Sequence, residues 1–98
     1  MASGLRFEWD RAKNRANVRR HGVSFEEAST AFLDEHGILI DDPGHSIEEE
    51  RFVLLGLASN LRLLVICHCY RLNADVIRLI SARKADRHER EDYFGRFK

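Results

Sequence analysis

Apolar and polar residues take turns at the start of the chain, with Leu5, Phe7 and Trp9 alternating with Arg6, Glu8 and Asp10. A period of two predicts a half-buried strand. The period then lengthens. Asp10 caps a predicted helix through about Arg20, with Lys13, Arg15, Arg19 and Arg20 on its surface and Ala12, Ala16 and Val18 inward. His21-Gly22 ends it, because glycine turns left-handed without steric cost. Ser24 and Glu27 form a capping box for a second helix, with Val23 and Ala28 at the staple positions. Phe25, Ala28, Ser29, Phe32 and Leu33 share one face at helical spacing, which reads as core rather than as a cofactor site.

The second half reads as strands. Gly37 to Ile40 is short, and Asp42-Pro43-Gly44 is a turn leading through His45, Ser46 and Glu48–Glu50. Arg51 to about Leu57 is apolar on both faces, which predicts a central strand. Ser59-Asn60 turns into Arg62–Arg71, and Asn73-Ala74 turns into a strand that begins after Asp75. Alternation puts Val76, Arg78, Ile80 and Ala82 on one face and Ile77, Leu79, Ser81 and Arg83 on the other. Asp86 and Glu89 then cap a last helix, with Tyr93, Phe94 and Phe97 as its packing residues. The order β-α-α-β-β-β-β-α with short links predicts an α+β domain spanning 1–98. Its small antiparallel sheet carries the two N-terminal helices on one face, followed by a C-terminal helix.

Composition narrows the class. Ninety-eight residues at 44% hydrophobic suffice for one core. No apolar run approaches a membrane span and no signal peptide precedes the first charges, so a cytoplasmic protein is expected. Cys67 and Cys69 lie two apart on a predicted strand, which suits a reducing compartment rather than a mutual disulfide. The net charge is zero, yet it is segregated. Residues 1–25 carry six basic and two acidic groups, residues 26–50 nine acidic and none basic, and residues 51–98 ten basic and five acidic. The basic ends can meet as a patch for a polyanion, pair with the acidic middle, or dock a protein partner.

Candidate chemistry centres on Asp75–Tyr93, where Arg78, Arg83 and Lys84 sit in and just beyond an apolar strand. Cations there need an anion or a carboxylate such as Glu89 to answer them. The length of the last turn decides which groups meet. An odd number of residues puts His68 and Tyr70 beside Arg78; an even number puts Cys69 and Arg71 there. The odd case is preferred, because it leaves one coherent apolar face and gathers Arg62, His68, Tyr70 and Arg78 on the other. Such a cluster suits RNA cleavage. The 2′-hydroxyl is the nucleophile, histidine moves protons, and arginine matches phosphate oxygens. Trp9, Tyr70 and Phe7 offer faces to unstacked bases. His68 as a satisfied core residue is the competing reading. Metal sites at Cys67-His68-Cys69 or at His45 with Asp41 and Asp42 are disfavoured, the first because neighbouring strand residues point to opposite faces.

Several motifs occur together: Phe7-Glu8-Trp9-Asp10, His21-Gly22-Val23, Phe25-Glu26-Glu27-Ala28, His45-Ser46 with Glu49-Glu50-Arg51, and Ile77 to Ala85. In this order they resemble the BrnT family, ribonuclease toxins of bacterial type II toxin–antitoxin systems with a RelE-like fold. The resemblance covers Phe7 to about Tyr93. It implies an endoribonuclease that needs no metal or other cofactor and stops translation by cutting RNA. It also implies a BrnA-like antitoxin, promoter DNA met only through that antitoxin, and a homodimer as one possible assembly. Carried over by position, Arg71, Arg78, Arg83 and Lys84 are the basic residues of the site; Arg71 and Arg83 would contact phosphate, and His68, the candidate from the residues themselves, would transfer protons. Arg78 and Lys84 would support them, and Glu89 would act as an acid–base or orienting group. Trp9, Lys13, Arg62 and Tyr70 would complete the RNA surface. The alternative is a non-catalytic corepressor that binds a DNA-binding antitoxin, suggested by the neutral total and the charge segregation.

Overall fold

The computed structural model describes residues 4–42 and 50–97. The predicted turn at Pro43-Gly44 and the metal reading on His45 lie outside the described residues. The elements are β1 (Arg6–Glu8), α1 (Arg11–His21), α2 (Phe25–Thr30), a 3-10 turn (Ala31–Leu33), β2 (Ile38–Asp41), β3 (Phe52–Leu57), β4 (Leu63–Arg71), β5 (Val76–Lys84) and α3 (Arg87–Gly95). This is the expected α+β order. The strands form one sheet in the order β1-β5-β4-β3-β2. Neighbours from β2 to β5 are antiparallel, whereas β1 runs parallel to β5. No hairpin links β1 to β5, so the antiparallel rule of short links does not reach it.

The helix ends form where the sequence signals them. The Asp10 side chain accepts from the Ala12 and Lys13 amides, and Gly22 closes α1 at φ 71° with its amide on Val18 O. The Ser24 side chain accepts from the Glu27 amide. Asp86 and Glu89 satisfy each other's backbone amides in a complete capping box. From the helical layer Val23, Phe25, Ala28 and Ala31 meet Leu54, Leu64, Ile66, Ile77, Leu79 and Ala82 of the sheet.

Three packing expectations change. In α1 the inward residue is Asn17, while Ala12, Ala16 and Val18 are exposed. Asn17 Nδ2 donates to Val23 O at 2.8 Å and Ala82 O at 2.7 Å, and its Oδ1 accepts from Ala82 N at 3.1 Å. One buried amide thus pins α1 to β5 with its hydrogen-bonding demand met. The α2 stripe breaks where the chain tightens into the 3-10 turn, which buries Ala31 and exposes Leu33. In α3 only Tyr93 is buried; Phe94 and, past the helix end, Phe97 stay partly exposed while their rings pack edge-on against Tyr93, and that of Phe97 against His36 as well. The Tyr93 hydroxyl donates to Asp34 Oδ2, which also accepts from the Leu57 amide. Burial, with Asp34 beside it, pushes that hydroxyl up to about 12.

Register brings the largest correction. The β4–β5 turn is even: Arg71 pairs with Val76, Cys69 with Arg78 and Tyr70 with Ile77. Residues directly opposite share a face, so Arg71 stands with Arg78 while His68 and Tyr70 point the other way. The turn achieves this with left-handed backbone at Leu72 (φ 54°), Asn73 (φ 57°) and Ala74 (φ 72°). Further along, His68 pairs with Leu79 but Cys67 pairs with Ser81. Ile80 is therefore the extra residue of a β-bulge. Simple alternation fails beyond it. Ala82 joins Leu79 on the face under α1 and α2, and Arg83 crosses to the face of Arg78.

Candidate active site on the arginine face of the sheet

The even turn and the bulge together set Arg71, Arg78 and Arg83 on the sheet face opposite α1 and α2. The parallel seam adds a carboxylate, because Glu8 of β1 pairs directly with Arg78. Arg78 Nη1 lies 2.8 Å and Arg71 Nε 2.9 Å from the same oxygen, Glu8 Oε2. All three side chains remain a third or more exposed: 51% for Arg71, 34% for Arg78 and 34% for Glu8. Solvent or a ligand can therefore reach the cluster.

A second cluster forms where β5 enters α3. Arg83 grips Glu89 bidentately, with Nη1 on Oε1 and Nη2 on Oε2, both at 2.8 Å. Glu89 Oε1 also accepts from the Asp86 amide at 2.8 Å. The bond from Arg83 is the main reason the Glu89 carboxyl is held down at about 2. The same bond raises the Arg83 guanidinium. The strand partners of Arg78 and Arg83 are Cys69 and Val65, four residues apart, or about 13 Å of strand.

The other expected site residues stand elsewhere. His68 is fully buried on the helix-covered face. Its Nδ1 is 3.1 Å from Ile66 O and its Nε2 3.3 Å from the Tyr70 hydroxyl. Its ring meets Phe32 edge-on at 4.8 Å. Burial lowers its pKa and keeps the imidazole neutral. Tyr70 is half-buried against Phe52, and burial raises its hydroxyl. Trp9 packs edge-on to Phe25 at 6.0 Å and Phe7 to Phe32 at 5.4 Å, so these rings close the core. Lys84 pairs with Leu64, which turns it to the helix side, and Lys13 is exposed on α1. Arg62 donates to Gly22 O at 3.0 Å and pairs with Glu27 at 2.8 Å, tying the β3–β4 loop to the α1–α2 corner. The gathering of Arg62, His68, Tyr70 and Arg78 on one face does not occur.

Sequence reasoning passed over Glu8 and Asn17. Glu8 lies on the polar side of an alternating strand, but its arginine partners follow only from the parallel pairing. Among the described residues no group of three His, Cys, Asp or Glu side chains is placed to hold a metal. Among them too, no helix is long and apolar enough to cross a membrane.

Comparison with known proteins agrees with the motif resemblance. Residues 9–89 match the family model described as the ribonuclease toxin, BrnT, of type II toxin–antitoxin systems. The crystal structure of the Brucella abortus ribonuclease toxin, BrnT, superposes with a TM-score of 0.62 at 20% sequence identity. The match covers 85% of this chain and 99% of that one, and at this identity it establishes a shared fold. No match was found among curated proteins. With most of its length matched by that family model, the chain belongs to the BrnT family of ribonuclease toxins of type II toxin–antitoxin systems.

Proposed function

We propose that this chain is an endoribonuclease that cleaves RNA without a metal ion, through attack of the 2′-hydroxyl, and so inhibits translation. In this reading a BrnA-like antitoxin neutralises it, and promoter DNA is met only through that partner. The observation that carries the proposal is the set of three arginines on one accessible sheet face, two of them sharing a single carboxylate oxygen. Guanidinium groups so held are oriented donors for phosphate oxygens. They can stabilise charge developing on phosphorus, where one lost donor costs roughly 10²- to 10³-fold in rate. Arg71 and Arg78 take the scissile phosphate. Arg83, about 13 Å along the strand, binds the chain beyond it, with Glu89 fixing its plane.

The test is cleavage of a labelled RNA by purified protein in excess chelator. The Arg71→Ala and Arg78→Ala variants should each lose about 100-fold or more in rate with the fold intact by circular dichroism. Undiminished cleavage by both variants would place the site elsewhere. A second reading, a corepressor without catalysis, is favoured by one observation: each of the three arginines already faces a carboxylate. That reading requires tight antitoxin binding and no cleavage by the wild-type chain.

A further inference from the structure

Cleavage through the 2′-hydroxyl needs a proton acceptor beside the arginines, and His68, Glu89 and Asp10 are each placed away from them or already committed. His68 is buried on the opposite face with both ring nitrogens near protein partners. Glu89 has both oxygens on Arg83, and one also on the Asp86 amide. Asp10 lies near Arg78, but its Oδ1 accepts from two helix amides. Glu8 differs from each of these. It touches both Arg71 and Arg78, it is a third exposed, and both contacts fall on Oε2. Among the described residues no bond is made to Oε1.

We propose that Glu8 is the general base of the reaction, an assignment that rests on the ribonuclease reading above. A phosphate drawn to Arg71 and Arg78 brings its neighbouring 2′-hydroxyl to the Glu8 carboxylate. The 2′-oxygen gives its proton to Glu8 as it bonds to phosphorus. The bond from phosphorus to the 5′-oxygen breaks, and that oxygen takes a proton from water. The products are a 2′,3′-cyclic phosphate and a 5′-hydroxyl, and Glu8 then returns its proton to solvent. The two guanidinium groups neutralise the charge that gathers on the phosphate oxygens. Before substrate binds, the carboxylate holds both arginines in place and stands where a phosphate oxygen will compete for them.

Base and ion-pair roles separate in one experiment on the full chain. Glu8→Gln keeps the size and an oxygen acceptor but takes up no proton. Its single-turnover cleavage rate should fall by about 100-fold or more, in line with the loss of a general base. Its affinity for an oligonucleotide carrying a 2′-deoxy at the scissile position should stay level or tighten, because a negative charge has left the phosphate site. A rate within about threefold of wild type overturns the assignment, since a general base contributes at least about 100-fold. A rate loss matched by an equal loss of analogue affinity also overturns it and makes Glu8 a positioning residue. If Glu8→Gln does not fold, Glu8→Asp decides. It keeps the charge, draws the acceptor back by one methylene, and should lose about tenfold or more in rate at unchanged affinity; an unchanged rate overturns the assignment. Wild-type protein that cleaves no RNA removes the ribonuclease reading itself, a result distinct from an active enzyme indifferent to Glu8.

Discussion

The two faces of the sheet are built on opposite rules. Under α1 and α2 the polar groups are few and buried, and their hydrogen bonds are met inside the protein: Asn17 on Val23 and Ala82, His68 on Ile66 and Tyr70. On the arginine face the polar groups are charged, paired and still reachable from solvent. Burial makes the first face a source of stability, because an unmet polar group there has no water to turn to. Exposure makes the second the face proposed for chemistry. The half-exposed pair of Arg71 with Glu8 and its neighbour at Arg78 each add at most about 1 kcal/mol to stability, so a ligand can displace them at small cost.

The sharpest way to break that comparison is to move one side chain on each face. Asn17→Leu removes three hydrogen bonds and leaves Val23 O and the Ala82 amide and carbonyl buried without their partner. At about 1–3 kcal/mol for each orphaned group, the variant should lose about 3 kcal/mol or more in urea unfolding. Arg71→Ala on the other face should stay within about 1 kcal/mol of wild type, because its lost pair is half exposed. Equal losses in the two variants would erase the distinction between the faces.

Smaller effects come from acid, and each face has its own window. Glu89, held down at about 2 against an ordinary 4.5, binds fewer protons folded than unfolded. Its stabilisation is therefore full above about pH 4.5 and is lost as pH falls toward about 2. His68 is lowered from 6.5, so the unfolded chain takes up its proton first as pH drops. Stability is greatest above pH 6.5 on its account and declines below that value. Melting temperatures measured from pH 7.5 to pH 3 should fall in both windows. His68→Phe should remove only the upper decline, and Glu89→Gln should lessen only the lower, to which Asp34 and Asp10, both also held down in the folded chain, contribute as well. A decline from pH 6.5 that survives His68→Phe would show another group responsible.

Local signals made most elements legible. Asp10, Ser24 and Asp86 cap the helices as expected, and Gly22 ends α1 in the left-handed conformation its type favours. The site was less legible because it depends on pairings distant in sequence. Arg83 reaches the face of Arg78 only through the bulge at Ile80, and period-two counting cannot see an extra residue. Glu8 meets its arginines only because β1 lies parallel to β5, seventy positions along the chain. Asn17 escaped for a different reason: a polar residue on a helix reads as solvent-facing until its buried partners are known.

The β4–β5 turn hid its register because nothing in Leu72-Asn73-Ala74 marks three consecutive left-handed residues. Only asparagine among them tolerates that conformation well. For leucine and alanine it costs roughly 1–2 kcal/mol each, and the turn persists because the strands on both sides fix it. Ala74, at φ 72° and exposed, isolates that cost. Glycine there relieves the side-chain clash but gives the unfolded chain more freedom, so the net gain is the smaller part of 1–2 kcal/mol. Ala74→Gly should raise stability by about 0.5 kcal/mol and leave RNA cleavage unchanged, because the register and hence the placing of Arg71 opposite Val76 are kept. A one-residue deletion in the same turn forces the odd register. It should turn Arg71 away from Arg78 and abolish cleavage even if the chain still folds. Cleavage that survives the deletion would mean that Arg71 and Arg78 need not share a face, and the contrast between the faces would then not explain the activity.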